Sequence, residues 1–196
     1  FPMIHGGTAG MERFTCHASI LTPGETPHLP HTHSEEEVLM VLRGEVELTL
    51  PALQGDADSG SRRLRPGEFV YYSAGFPHTL TAVGQEPAQY LMFKWCNDGA
   101  TNDARLEFCQ HDTKAAPCDA PIDAIGLRTG LLFYCPTDSL RRLHAHLSTL
   151  PPGGGYEPHV DAYDIAIVVL EGELESLGAR ALASDVLFYV AGEPHG

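Results

Sequence analysis

The stretch His31-Thr32-His33-Ser34-Glu35-Glu36-Glu37 is followed by an apolar run that ends at Gly44. Side chains at positions i and i+2 of a β-strand lie on one face, so an extended segment points both histidines the same way. A carboxylate from the glutamate run and a further histidine would complete a metal site. The candidate for that histidine is His78, in Gly75-Phe76-Pro77-His78.

The chain repeats itself once. The pair His31 and Gly44 recurs 128 positions later as His159 and Gly172. A second block aligns at an offset of 117 positions, and the sequence therefore contains two copies of one unit rather than many short repeats. The second block comprises Phe69-Val70-Tyr71-Tyr72-Ser73-Ala74-Gly75-Phe76-Pro77-His78 and Val186-Leu187-Phe188-Tyr189-Val190-Ala191-Gly192-Glu193-Pro194-His195.

Each copy has the pattern of short β-strands separated by Gly and Pro turns. The runs at 38–42 and 165–170 are apolar without alternation, which is typical of strands buried on both faces. Residues 45–50 alternate, as a strand with one wet face should. The extra residues of the first copy fall at 51–63, which we predict to be an exposed hairpin loop. The fold class is therefore all-β with few helices.

Three segments follow from the repeat. We expect a first barrel with the metal site at 1–96, a connecting segment at 97–128, and a second barrel at 129–196. The first copy continues after His78 into a closing strand at 90–93, whereas only Gly196 follows His195. We therefore expect the second barrel to be truncated in this sequence, with a natural chain that extends beyond it.

Composition excludes some function classes. The formal charge of −14 at pH 7 argues against nucleic-acid or anionic-membrane partners, because both need a basic surface. No apolar run approaches the length of about 20 residues that a membrane span requires. The five cysteines form no C-x-x-C pair, and we expect reduced thiols in a cytoplasmic protein.

The sequence resembles the cupin superfamily, and its duplication resembles a bicupin. The first cupin motif, G-x5-H-x-H-x3,4-E-x6-G, fits from His31 to Gly44, although Gly24 stands one residue too early. In the second motif, G-x5-P-x-G-x2-H-x3-N, the two glycines and the histidine fit. These are Gly67, Gly75 and His78, whereas Ser73 and Ala82 replace the proline and the asparagine.

The resemblance implies two tandem double-stranded β-helix (jelly-roll) barrels. It implies that His31, His33, Glu37 and His78 bind one divalent transition metal in the first barrel, with Fe, Mn, Ni, Co, Cu or Zn all compatible with these ligands. Strand parity alone would also allow Glu35, and the family spacing selects Glu37.

The second copy departs from this pattern. His159 and His195 are retained, but Asp161 and Ile165 stand where His33 and Glu37 stood. A weaker second metal site at His159, Asp161 and His195 is one interpretation, and a degenerate barrel with a supporting role is the other. Asp164 is one residue out of register for a ligand.

Three functions remain open for this site. The leading hypothesis is a metal-dependent oxidoreductase, such as a dioxygenase, that acts on a small organic molecule. The alternatives are a metal-dependent isomerase, lyase or cyclase, and a non-catalytic sensor or binding protein.

The pocket is expected to use residues of the second motif. One of Tyr71 and Tyr72 should line the barrel, and Tyr71 and Phe76 are candidate pocket residues. We expect Arg43 and Arg65 to be the nearest cations, which favours a neutral or aromatic ligand. We also expect a homodimer.

Overall fold

The computed structural model describes residues 1–50, 60–97, 105–115 and 126–196. Every regular element in these ranges is a β-strand, which confirms the predicted all-β class. Residues 51–59 of the predicted hairpin loop, and Cys118, lie outside the described residues. No helix in the described ranges is long and apolar enough to cross a membrane.

The first unit contains nine strands in two sheets. A six-stranded sheet has the order β1-β2-β8-β3-β6-β9, and a three-stranded sheet has the order β5-β4-β7. The strands are β1 (Pro2–Gly6), β2 (Arg13–Leu21), β3 (Glu36–Arg43), β4 (Glu45–Leu50), β5 (Gly60–Leu64), β6 (Glu68–Tyr72), β7 (Thr79–Val83), β8 (Ala88–Cys96) and β9 (Phe108–Asp112).

The central strands of the six-stranded sheet, β3, β6 and β8, are largely buried on both faces. Its inner face packs against the three-stranded sheet, and Leu39 and Tyr72 belong to this core inside the barrel. Its outer face carries a second cluster, with Met40 and Tyr71, that packs against Phe133 and other side chains of the second unit. The apolar run of β3 therefore lacks alternation because both faces of the strand are covered.

The second unit contains the remaining eight strands. They form four separate pairs, β10-β11, β12-β17, β13-β16 and β14-β15. The strands are β10 (Arg128–Cys135), β11 (Leu143–Thr149), β12 (His159–Val160), β13 (Ile165–Val168), β14 (Glu173–Ser176), β15 (Ala179–Leu182), β16 (Val186–Tyr189) and β17 (Pro194–His195).

The register of strand pairs in the first unit recurs in the second unit. Glu37 pairs with Tyr72 in the first unit, and the equivalent residues Ile165 and Tyr189 pair in the second. The histidine pair at 31 and 78 likewise recurs at 159 and 195. The first unit is a jelly-roll barrel, and the second unit repeats its strand pairing.

β8 is among the strands of the first unit that have no counterpart in the described part of the second unit. β8 lies between β2 and β3, so that it joins the two into one sheet. The equivalent strands of the second unit, β11 and β13, belong to separate pairs in the described part of the chain. β9, from the expected connecting segment, extends the first unit's sheet beside β6. The residues of β8 therefore lie beside both β2 and β3 in the first barrel.

Candidate metal centre

Strand pairing brings three histidines together at one end of the first barrel. His31 and His78 face each other and exchange two backbone hydrogen bonds of 3.1 Å each. One ring nitrogen from each of His31, His33 and His78 lies within 4.8 Å of the others. Two ligands about 2.1 Å from one ion stand about 3 Å apart when adjacent and about 4.2 Å apart when opposite. The spacing of the three rings therefore suits a shared ion.

Backbone carbonyls orient two of these rings. Nδ1 of His33 lies 2.9 Å from the carbonyl oxygen of Glu35, and Nδ1 of His78 lies 2.9 Å from that of Phe76. A carbonyl oxygen only accepts, so each Nδ1 carries the proton and donates. The Nε2 lone pairs of both rings are then available to a metal, an arrangement usual for histidine ligands in proteins.

Glu37 supplies the carboxylate. Its side chain is fully buried, and its Oε1 accepts a hydrogen bond of 2.5 Å from the hydroxyl of Tyr72. Its Oε2 lies 2.7 Å from Nε2 of His33 and 3.1 Å from Nζ of Lys94. The structure thus brings Glu37 to the histidines.

The other two glutamates of the run have different roles. Glu35 forms a 2.9 Å ion pair with Arg13. Glu36 is buried on the opposite face of the sheet, where Tyr71 donates a 2.9 Å hydrogen bond to it. The face of β3 separates Glu37 from Glu36, whereas Glu35 precedes β3 and forms its ion pair with Arg13.

The protonation states of these groups suit metal binding. Burial lowers the pKa of His78 to about 4, and it also lowers the pKa of His31. Burial alone would raise the pKa of Glu37, but the adjacent His33 ring, the charge of Lys94 and the Tyr72 hydroxyl together hold it below its usual value. Neutral imidazole and ionised carboxylate are the forms that ligate metals.

Two buried polar atoms at the site lack a hydrogen bond. Nδ1 of His31 and Oε2 of Glu37 have no hydrogen bond of acceptable geometry to any described residue. Buried polar atoms are nearly always hydrogen-bonded, so the His31 nitrogen, together with a carboxylate oxygen that has only ion-pair contacts with His33 and Lys94, points to a missing partner. A cation would satisfy Glu37 directly, and the four residues fit a divalent transition metal.

Lys94 is a site residue that the sequence did not predict. Its Nζ lies 3.4 Å from Nε2 of His33 as well as 3.1 Å from Oε2 of Glu37. The expected nearest cations, Arg43 and Arg65, instead face surface glutamates, so that expectation is wrong. Lys94 could have been found from its parity on β8, since Tyr90 and Met92 lie on the inner face.

The expected pocket residues lie on different faces. Phe76 stacks on Tyr72 at 6.1 Å and on Phe108 at 5.8 Å, and so forms an aromatic wall beside the site. Tyr72 is the tyrosine inside the barrel. Tyr71 lies in the outer cluster and binds Glu36. Phe108, from β9, was not foreseen.

The second unit also gathers its candidate ligands. Oδ2 of Asp161 lies 3.7 Å from Nε2 of His159 and 3.4 Å from Nε2 of His195. His195 is buried, whereas the His159 side chain is 47% exposed. Asp164 instead accepts hydrogen bonds from Thr8 and from the backbone of Ala191. This group is smaller and more open than that of the first barrel.

One known protein family matches the sequence of the first barrel. The cupin-domain family model matches residues 18–94, a span that contains all four candidate ligands and Lys94. The chain therefore contains a cupin domain at residues 18–94. No curated protein sequence matches it significantly.

Solved cupin-like structures cover nearly all of the chain. A Pseudomonas aeruginosa protein with the provisional name of glyoxylate-induced protein has a TM-score of 0.70 and 18% identity, over 93% of this chain and 67% of that chain. A cupin 2 conserved barrel domain protein from Leptotrichia buccalis has a TM-score of 0.65 and 12% identity, over 100% and 79%. Protein Ylba from E. coli has a TM-score of 0.62 and 12% identity, over 98% and 81%. At these identities the likeness concerns the fold.

Proposed function

We propose that this cupin is a bicupin whose first barrel binds one divalent transition metal through His31, His33, Glu37 and His78. The observation that carries the proposal is the convergence of three imidazoles on a fully buried carboxylate, whose Oε2 lies 2.7 Å from the His33 ring and 3.1 Å from Lys94 but forms no hydrogen bond of acceptable geometry in the described part of the chain. Among metals, this mixed nitrogen and oxygen set favours Fe, Mn, Co, Ni, Cu or Zn over Mg and Ca.

We propose that the chain is a metal-dependent oxidoreductase of the dioxygenase type, acting on a small organic molecule. When bound, the metal would supply an open coordination position and either a redox couple or Lewis acidity. The residues around it supply orientation. Tyr72 fixes the Glu37 carboxylate through a 2.5 Å hydrogen bond, and the aromatic wall of Phe76 and Phe108 offers a flat apolar surface to a substrate.

A second candidate is a metal-dependent isomerase, lyase or cyclase. The observation that favours it is Lys94, whose ammonium lies beside two ligand atoms. A fixed cation there would stabilise negative charge that develops on a substrate oxygen, and this assists reactions in which the metal only polarises a carbonyl. A sensor or binding protein would use the same ligands without turnover.

Elemental analysis of protein purified without added metal tests the proposal. We expect close to one equivalent of a transition metal per chain in the wild type and its loss in His33→Ala. Full metal content in a His33→Ala Glu37→Ala double variant would refute the assignment. Reconstitution with Fe, Mn, Zn or Co then separates the two enzyme classes. Only the oxidoreductase consumes dioxygen, and only the oxidoreductase loses its turnover when the bound metal is Zn.

The second barrel is proposed as a weaker metal site. Asp161 lies within 4 Å of both His159 and His195, but the site lacks a fourth ligand where Ile165 stands. A second, more easily chelated equivalent of metal would support it. The expected homodimer and the cytoplasmic location stay predictions.

A further inference from the structure

We propose that Lys94 and the metal site together bind an anionic oxygen of the substrate, so that the ligand is a small carboxylate or another oxyanion. The inference rests on the proposed function, since it requires that the first barrel hold a metal. It replaces the neutral or aromatic ligand that the sequence favours.

The position of Lys94 is set by the sheet. β8 lies between β2 and β3, and Lys94 is the direct partner of Glu37 across β3 and of Thr15 across β2. Cross-strand partners have Cβ atoms about 5 Å apart, so the lysine side chain reaches the carboxylate without distortion of the backbone. The side chain is 25% exposed, and it therefore lies at the boundary between the barrel core and the solvent.

Lys94 contacts atoms of two candidate metal-ligating side chains. In the described ranges its Nζ is recorded near Oε2 of Glu37, at 3.1 Å, and near Nε2 of His33, at 3.4 Å. A metal bound at the site would use the one lone pair of His33 Nε2 and one of the two lone pairs of Glu37 Oε2. The ammonium would then lose one acceptor and share the other with a cation, and a mostly buried ammonium with so little compensation is costly.

The other acceptor of the carboxylate is already in use. Oε1 of Glu37 receives the Tyr72 hydroxyl, so it offers Lys94 little compensation. His17, on the neighbouring strand, is neutral or positive in either protonation state, and so it offers Lys94 no negative charge. A substrate oxyanion is the acceptor that this arrangement lacks.

Charge balance leads to the same ligand class. A divalent metal, one carboxylate and one ammonium leave the site with two net positive charges, because the three histidines are neutral when they bind. Uncompensated charge in a partly buried site is unfavourable. One oxyanion that contacts both the metal and Lys94 would reduce this excess, and a neutral or purely aromatic ligand would not.

An ion pair that merely supports the fold is the competing explanation. It would account for the contact with Glu37, and it predicts that removal of Lys94 lowers stability without changing ligand preference. The two explanations therefore differ in the affinity of a metal-loaded protein for anionic and for neutral ligands.

The test uses the full chain loaded with Co(II), whose visible absorption changes when a ligand binds. Acetate is the anionic probe and imidazole the neutral probe. Lys94→Met should raise the Kd for acetate at least tenfold and change the Kd for imidazole less than twofold. Lys94→Arg should restore most of the acetate affinity. Lys114→Met, which makes the same change in net charge on an exposed loop, should leave both constants unchanged.

The outcomes separate the two proposals. Equal acetate affinity in the loaded wild type and Lys94→Met, or equal weakening of both probes, would overturn this inference alone. A wild type that takes up no cobalt would overturn the proposed function and this inference with it. Lys94→Gln serves as the second variant if Lys94→Met does not fold, and the same ratio of acetate to imidazole affinity decides.

Discussion

The exchange of Glu36 for glutamine should cost far more stability than the same exchange at Glu35. Glu36 is 1% exposed and accepts four hydrogen bonds. Its Oε1 receives the Tyr71 hydroxyl at 2.9 Å and the backbone N–H of Asp138 at 2.6 Å, while its Oε2 receives the backbone N–H of Ser139 at 3.3 Å and the Ser139 hydroxyl. This one carboxylate therefore ties the second unit to the first barrel.

The magnitude follows from these contacts. Glutamine has one acceptor oxygen, so either orientation turns an NH₂ group toward a backbone N–H and leaves that donor unpaired. An unpaired buried donor costs about 1–3 kcal/mol, and the remaining bonds lose the extra strength that a charged acceptor gives. We expect Glu36→Gln to lower the free energy of unfolding by about 3 kcal/mol. Glu35→Gln, which loses only a surface ion pair with Arg13, should cost less than about 1 kcal/mol.

Urea denaturation followed by fluorescence of the single tryptophan measures both variants. Trp95 is 4% exposed and lies in the cluster between the two units, so its emission reports the loss of this packing. With an m value of about 2 kcal/mol per molar urea, the expected loss moves the midpoint down by about 1.5 M. If Glu36→Gln shifts the midpoint no more than Glu35→Gln, Glu36 does not connect the units as described.

Three further predictions concern the site and the repeat. His33→Ala should abolish metal retention in the first barrel by elemental analysis, whereas His28→Ala, an exposed neighbour, should keep it. Gly44→Ala should lower the free energy of unfolding by several kcal/mol in urea denaturation, because the φ of Gly44 is +66° and an added Cβ would lie 2.5 Å from a backbone oxygen. At the equivalent Gly172 an added Cβ meets no atom within 4 Å, so Gly172→Ala should cost only about 1–2 kcal/mol. In the metal-free protein, the pKa of His78, about 4 against an ordinary 6.5, means that the unfolded chain binds the proton first. The contribution of His78 to stability should therefore fall by about 3 kcal/mol as pH drops through this window, and His78→Gln should make the slope shallower by that amount, while His31, whose pKa is also lowered, keeps its own share.

Much of the fold could be predicted because the sequence is duplicated. The offset of 128 positions aligns His31 with His159, and the offset of 117 positions aligns their cross-strand partners His78 and His195. The same logic made His78 a candidate ligand. Periodicity identified β3 as a strand covered on both faces, and the structure shows which layers cover it.

The residues that were missed depend on contacts between distant strands. Lys94 reaches Glu37 only because β8 inserts beside β3, and no local pattern encodes that neighbour. The hydrogen bonds to Glu36 come from a turn at 137–140, which belongs to the second unit. Spacing within a motif predicts which of its own residues belong to the site. It does not predict which strand of the sheet lies beside the motif.

The consecutive residues Glu36 and Glu37 serve opposite faces of one strand, and this limits how β3 can change during evolution. A slip of β3 by a single residue against β6 and β8 would exchange the two faces, so that both carboxylates would lose their partners together. Only a slip by two residues preserves the assignment, at the cost of a shift along the barrel. We therefore expect designers who graft the site onto another barrel to keep both carboxylates as one unit.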